Sequence, residues 1–140
     1  MFFGEFEYKL DEKGRVPLPP RFRERLKSGI VLAQGFEKCI SVYPIEEWQK
    51  LSEKISSSRI SPDKLRKLKR AIFATAFYIG LDGQGRVSLP APLREYAGLV
   101  DEVVVAGVDG SLELWGKEQW LEEKRKSQEQ SWQIIEGLDR

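Results

Sequence analysis

Apolar residues recur at every second position at the start of the chain. Phe2, Phe6, Tyr8 and Leu10 share one parity, and a period of two predicts a strand over Phe2–Leu10. The alternation stops at Asp11-Glu12-Lys13-Gly14. An aspartate accepts hydrogen bonds from backbone donors two residues on and glycine accepts positive φ, so this spacing predicts a tight turn. Val16 and Leu18 resume the alternation as a short strand. Pro19-Pro20 then presets the first turn of a helix, with Phe22 and Leu26 on one face and Gly29 past its end. Ile30–Ala33 and the alternating Cys39–Tyr43 predict a strand pair. Trp48, Leu51 and Ile55 follow at helical spacing.

The same order then returns. Residues 10–25 read LDEKGRVPLPPRFRER and residues 81–96 read LDGQGRVSLPAPLREY, identical at nine of sixteen positions at an offset of 71. The shared residues are Leu10/Leu81, Asp11/Asp82, Gly14/Gly85, Arg15/Arg86, Val16/Val87, Leu18/Leu89, Pro19/Pro90, Arg23/Arg94 and Glu24/Glu95. At an offset of 72 the echo pairs Gly35 with Gly107, Tyr43 with Trp115 and Trp48 with Trp120. In the second copy Val103–Ala106 and Ser111–Trp115 are joined through Asp109-Gly110, a hairpin signal. Two copies of roughly 70 residues are an internal duplication, too long in period and too few for a solenoid. They predict two similar units packed about a pseudo-twofold axis.

The expected architecture is α+β, mainly β. Residues 1–58 form the first repeat, 59–76 a connecting basic helix, 77–121 the second repeat and 122–140 a charged helical tail. Ser61-Pro62-Asp63 supplies the N-cap and first turn of the connecting helix. That helix has Leu65, Leu68 and Ile72 on one side and Lys64, Arg66, Lys67, Lys69 and Arg70 on the other. The tail returns to apolar residues at Trp132, Ile134, Ile135 and Leu138. Such a helix is either a solvated face or a partner surface.

Composition narrows the function classes. No apolar run approaches the roughly 20 residues a membrane span needs, and no signal-peptide pattern opens the chain. Cys39 is the only cysteine, which excludes an intrachain disulfide and a thiolate metal cluster. The expected location is the cytoplasm. Histidine is absent, which removes the commonest general base and the commonest zinc ligand together. No cofactor, no metal and no enzymatic activity are expected. The net charge of +1 hides an asymmetry: residues 1–70 carry 16 Lys/Arg against 10 Asp/Glu, residues 71–140 carry 7 against 12. That polarity suits one face for a polyanion and another for something else.

The two D-x-x-G-R turns hold the candidate chemistry. An arginine directly after a tight turn projects from a rigid hairpin, and its planar fork suits phosphates and the guanine edge in the major groove. Lys9, Lys13, Arg15, Arg21, Arg23, Arg25 and Lys27 make the first copy basic. Arg15 and Arg86 could instead pair with Asp11 and Asp82 and lock the turns. The two readings are compatible, because a braced arginine is a better-oriented one. A duplicated aspartate near a twofold axis also raises the case of two acids sharing a proton. The flanking cations disfavour it by keeping both carboxylates ionised. Trp115 and Trp120 read as core or interface residues, and Cys39 as a small buried apolar one.

The whole chain resembles the MraZ family of bacterial transcriptional regulators. The match is carried by Met1-Phe2-Phe3-Gly4, by the Leu10–Arg15 and Leu81–Arg86 turns, by Pro92–Gly98 and by Glu113-Leu114-Trp115. The resemblance implies two tandem AbrB/SpoVT-like swapped-hairpin modules related by a pseudo-twofold in one chain. It implies a ring-shaped homo-oligomer associated with the nucleoid, binding short tandem repeats in double-stranded DNA upstream of its own gene. The expected action is repression of the division and cell-wall gene cluster. By motif match, the DNA-contacting role falls on Arg15 and Arg86 with Lys13 as neighbour. Asp11, Gly14, Asp82 and Gly85 would hold the turns. The rival reading is a protein-interaction scaffold in which the duplicated turns are structural.

Overall fold

The computed structural model describes residues 1–138, so the last two positions of the tail segment 122–140 lie outside the described residues. The first repeat runs β1 (Phe2–Lys9), β2 (Arg15–Pro17), α1 (Pro20–Arg23, extended by a 3-10 turn over Glu24–Leu26), β3 (Ile30–Gln34), β4 (Ile40–Pro44) and α2 (Ile45–Ser56). The connecting helix is α3 (Pro62–Phe73). The second repeat runs β5 (Phe77–Ile79), β6 (Arg86–Ser88), α4 (Ala91–Ala97), β7 (Glu102–Asp109), β8 (Leu112–Gly116) and α5 (Lys117–Leu138). Ser61 stands at the N-cap of α3, but its side chain makes no capping bond.

The two repeats exchange strands. A six-stranded antiparallel sheet has the order β1-β7-β8-β4-β3-β5, and β2 and β6 form a separate two-stranded ribbon. The opening strand of each repeat therefore lies against the other repeat: β1 on β7 from Phe2↔Asp109 to Lys9↔Glu102, and β5 on β3 from Ile30↔Ile79 to Leu32↔Phe77. These are tandem swapped-hairpin modules. The pseudo-twofold passes through two cross-strand pairs of equivalent residues, Val16↔Val87 in the ribbon and Ser41↔Glu113 in the sheet.

Register corrects one detail of the sequence alignment. Gln34 lies opposite Ile40 as Gly107 lies opposite Leu112, so Gly107 corresponds to Gln34 and not to Gly35. Each glycine answers a separate need. A Cβ on Gly107 would strike the β1 backbone at Phe2 and Phe3, whereas one on Gly35 would strike the Cys39 thiol.

One hydrophobic core spans both repeats, joining Val16, Leu18, Phe22 and Ile30 of the first to Val87, Leu89, Leu93 and Val103 of the second. Neither repeat buries its apolar face alone, so the swap is what closes the core. Short proline-started helices α1 and α4 lead into it, and α4 ends on Gly98 at φ +64°, whose N–H bonds back to the carbonyls of Arg94 and Glu95. Salt bridges tie the first turns of α5 to the sheet: Lys117 to Glu7 and Glu102, Lys124 to Glu5. Beyond them Trp132, Ile134, Ile135 and Leu138 are all exposed. No helix among the described residues is long and apolar enough to cross a membrane.

Candidate nucleic-acid interface

Both D-x-x-G-R segments fold as the spacing predicts. Asp11 Oδ1 accepts hydrogen bonds from the backbone N–H of Lys13 and of Arg15, each 2.9 Å, while Oδ2 accepts from Arg15 Nε at 2.7 Å. Asp82 repeats the set with Gln84 N, Arg86 N and Arg86 Nε at 2.9, 2.9 and 2.8 Å. Gly14 and Gly85 both take φ +75°, the left-handed region that an L side chain resists. The backbone bond from Arg15, with those from its side chain and Lys13, holds the Asp11 carboxyl below the usual range. Arg86 and Gln84 do the same for Asp82. Each acid is ionised on its own arginine, so the pair does not share a proton.

The turns are also braced across the pseudo-twofold. The Gly14 carbonyl accepts from Leu89 N at 2.9 Å and the Gly85 carbonyl from Leu18 N at 3.1 Å. The Arg94 guanidinium lies over Gly14 and the Arg23 guanidinium over Gly85, where an added Cβ would meet it. Arg23 and Arg94 are themselves fixed by Nε donation to the carbonyls of Leu18 and Leu89, 3.0 Å each. The sequence alone does not point to this role. Its signal was there, since Arg23/Arg94 is among the nine identities, but seeing it requires both repeats at once.

The ribbon brings the two candidate arginines to one surface. Side chains alternate across a strand, so with Val16 and Val87 at 0 % exposure inside, Arg15 and Arg86 point outward together. Arg15 pairs with Ser88 and Pro17 with Arg86, which makes the arginines diagonal neighbours, roughly 7–8 Å apart at Cα by strand geometry. Both side chains are about a quarter exposed, at 25 % and 27 %. Because the aspartate takes Nε, the Nη nitrogens of each fork remain for another partner. Lys13 is exposed at the tip of the first turn, where the second has Gln84.

Much of the rest of the basic run has partners within the chain. Arg21 stacks on Phe3, Phe6 and Phe22 and donates to the Phe3 carbonyl, and Arg25 lies over Phe2 while pairing with Glu46 and Glu47. Lys27 pairs with Glu24 at 2.7 Å. Of the first copy's basic residues, the exposed Lys9 and Lys13 have no ion pair among the described residues, and Arg15, like Arg86, keeps its Nη nitrogens open. Trp115 is buried and packs against Trp120 with ring centroids 6.0 Å apart. Cys39 is fully buried, and that burial pushes its thiol well up. Among the described residues no group of His, Cys, Asp or Glu could hold a metal ion.

Comparison with known proteins agrees with the geometry. The model of the family described as MraZ protein matches residues 1–70 and 72–136, one match for each repeat. A Dehalococcoides mccartyi protein named transcriptional regulator MraZ is 61% identical over 140 residues, covering 99% of each chain. Proteins of the same name from Thermomicrobium roseum and Lactobacillus gasseri are 44% identical over 120 residues and 38% identical over 139. The first covers 86% of this chain and 84% of its own, the second 99% and 97%. With the duplicated braced turns, the exchanged strands and a family match along almost its whole length, this chain belongs to the MraZ family.

Proposed function

We propose that the protein is a sequence-specific DNA-binding regulator of transcription, a repressor of the division and cell-wall gene cluster that contains its own gene. It acts as a ring-shaped homo-oligomer on short tandem repeats in double-stranded DNA upstream of that gene. Arg15 and Arg86 make the phosphate or base-edge contacts, with Lys13 beside them. Asp11, Gly14, Asp82 and Gly85 aim them. Family membership brings the regulatory role, which is the one the relatives' name states.

The observation that carries the reading is the outward face of the β2–β6 ribbon. Two arginines lie there side by side, each fixed at Nε and open at Nη. Strands about 4.8 Å apart make a ribbon that fits a major groove about 12 Å wide. Preordered forks lose little rotamer entropy on binding, so their hydrogen bonds are gained at low cost. Two arginines per subunit read few bases, and a ring placing one subunit on each repeat adds avidity without new contacts.

The test is fluorescence anisotropy of labelled DNA from the region just upstream of this gene. Wild type should prefer it over a scrambled duplex. Arg15→Ala/Arg86→Ala should lose that preference, since each bidentate base contact is worth about 1–3 kcal/mol. Unchanged affinity in the double variant would make the turns structural and return the search to protein partners.

A further inference from the structure

The two D-x-x-G-R turns have one backbone and two different tips. Gly14 and Gly85 share φ +75°, and each aspartate Oδ1 accepts from the N–H groups two and four residues on, all at 2.9 Å. On that common frame the first turn carries Glu12-Lys13 and the second Gly83-Gln84. All four positions are exposed. Among the described residues neither Glu12 nor Lys13 makes an ion pair, and the Lys13 and Gln84 side chains make no hydrogen bond.

Gly83 answers no need of the fold. Its φ is not positive, and an added Cβ would meet nothing within 4 Å, whereas one on Gly85 would meet the Arg23 guanidinium. A glycine that neither conformation nor packing requires still lets another molecule approach the backbone closely. The first turn has a carboxylate at the same place.

The ribbon sets where the tips fall. β2 and β6 are antiparallel, so the turns that precede them lie at opposite ends. Lys13 stands three residues before Val16, and Gln84 three before Val87, the pair on the pseudo-twofold. At about 3.3 Å per residue the tips are at most about 20 Å apart, with Arg15 and Arg86 between them. Base pairs succeed one another every 3.4 Å or so, and a subunit therefore spans at most about six. The arginines fall at its middle, where the pseudo-twofold makes the two halves alike. At the edges the halves differ.

The edge chemistries are distinct. A lysine only donates, which suits O6 and N7 of guanine, and a neighbouring glutamate accepts from N4 of the paired cytosine. A glutamine donates and accepts in one plane, which matches N6 and N7 of adenine.

We propose that the two tips are specificity-determining and read unlike base pairs at the two edges of each repeat unit. Lys13, with Glu12 beside it, reads a G·C pair at one edge, and Gln84, brought close by Gly83, reads an adenine at the other. This rests on the DNA-binding reading above and names the residues that make the unit differ between its halves.

Making the tips alike tests it, because the shared backbone accepts either sequence. Full-length protein is titrated by fluorescence anisotropy against the upstream duplex, with each base pair of the repeat unit changed in turn in every repeat. Fold is checked by far-ultraviolet circular dichroism. Wild type should lose about fivefold or more in affinity at each edge, one requiring guanine and the other adenine. Gly83→Glu/Gln84→Lys should turn the adenine edge to guanine, so that guanine is preferred at both edges, once on each strand. Glu12→Gly/Lys13→Gln should turn the guanine edge to adenine and leave the other alone. Failure of either folded variant to change the preference at its own edge would overturn the proposal. So would a Lys13 variant that weakens every duplex equally with a shallower salt slope, since that makes Lys13 a phosphate contact. Wild type without preference over scrambled DNA, or an Arg15→Ala/Arg86→Ala variant that keeps it, would instead sink the DNA-binding reading itself.

Discussion

Arg15 and Arg86 owe their orientation to acids that titrate outside the physiological range. A depressed carboxyl contributes stability above the unfolded aspartate pKa of about 3.9, and loses it as pH falls through the lower folded value. With no histidine in the chain, the turns should be indifferent to pH between about 5 and 8 and weaken only below about pH 4. Asp11→Asn/Asp82→Asn should shrink that acid limb in calorimetric melts, and a turn-dependent loss centred near pH 6 would contradict the account. Gly14→Ala and Gly85→Ala each place a side chain at φ +75° and push into a guanidinium. The backbone strain alone costs on the order of 1–2 kcal/mol, so Tm should drop by roughly 3–8 °C in a thermal melt. Cys39 should resist thiol reagents in the native protein and react only on unfolding, because it is buried and its thiol is pushed up.

The β2–β6 ribbon is short, three residues a strand, and is held by what lies beneath it. Val16 and Val87 face each other on the pseudo-twofold, both fully buried. Val16→Ala should destabilise by about 2 kcal/mol, and the Val16→Ala/Val87→Ala pair should depart from additivity in denaturant titration because both open the same space. The turns, the Asp109-Gly110 hairpin and the helix starts at Pro20 and Pro62 were legible in sequence, because the residues that decide them are neighbours in the chain. The strand exchange was legible only through family resemblance. Pairing Phe2 with Asp109 is a long-range choice, made by which apolar faces can close one core. The same distance hid the seat of Arg23 and Arg94 on the opposite turns. It also led the alignment to match Gly35 with Gly107, two glycines that serve different contacts. The basic run from Arg21 to Lys27 reads as an open field in sequence. In the structure, phenylalanine rings and glutamates take up Arg21, Arg25 and Lys27, while Arg23 bonds the Leu18 carbonyl.

For the whole molecule, the duplication gives two equivalent turns on one surface. The matched turns predict that Arg15→Ala and Arg86→Ala each cost DNA affinity by a similar factor, roughly tenfold or more. The central claim is that the paired arginines meet DNA. Its most direct test is the salt dependence of binding to the upstream DNA, measured for wild type and for Arg15→Ala/Arg86→Ala at equal oligomer mass. If the arginines contact phosphate, the slope of log affinity against log salt should become shallower by roughly one unit for each contact removed, with affinity reduced. Should they read only base edges, affinity and the preference over scrambled DNA fall while the slope holds. The same slope, affinity and preference in both proteins would contradict the account.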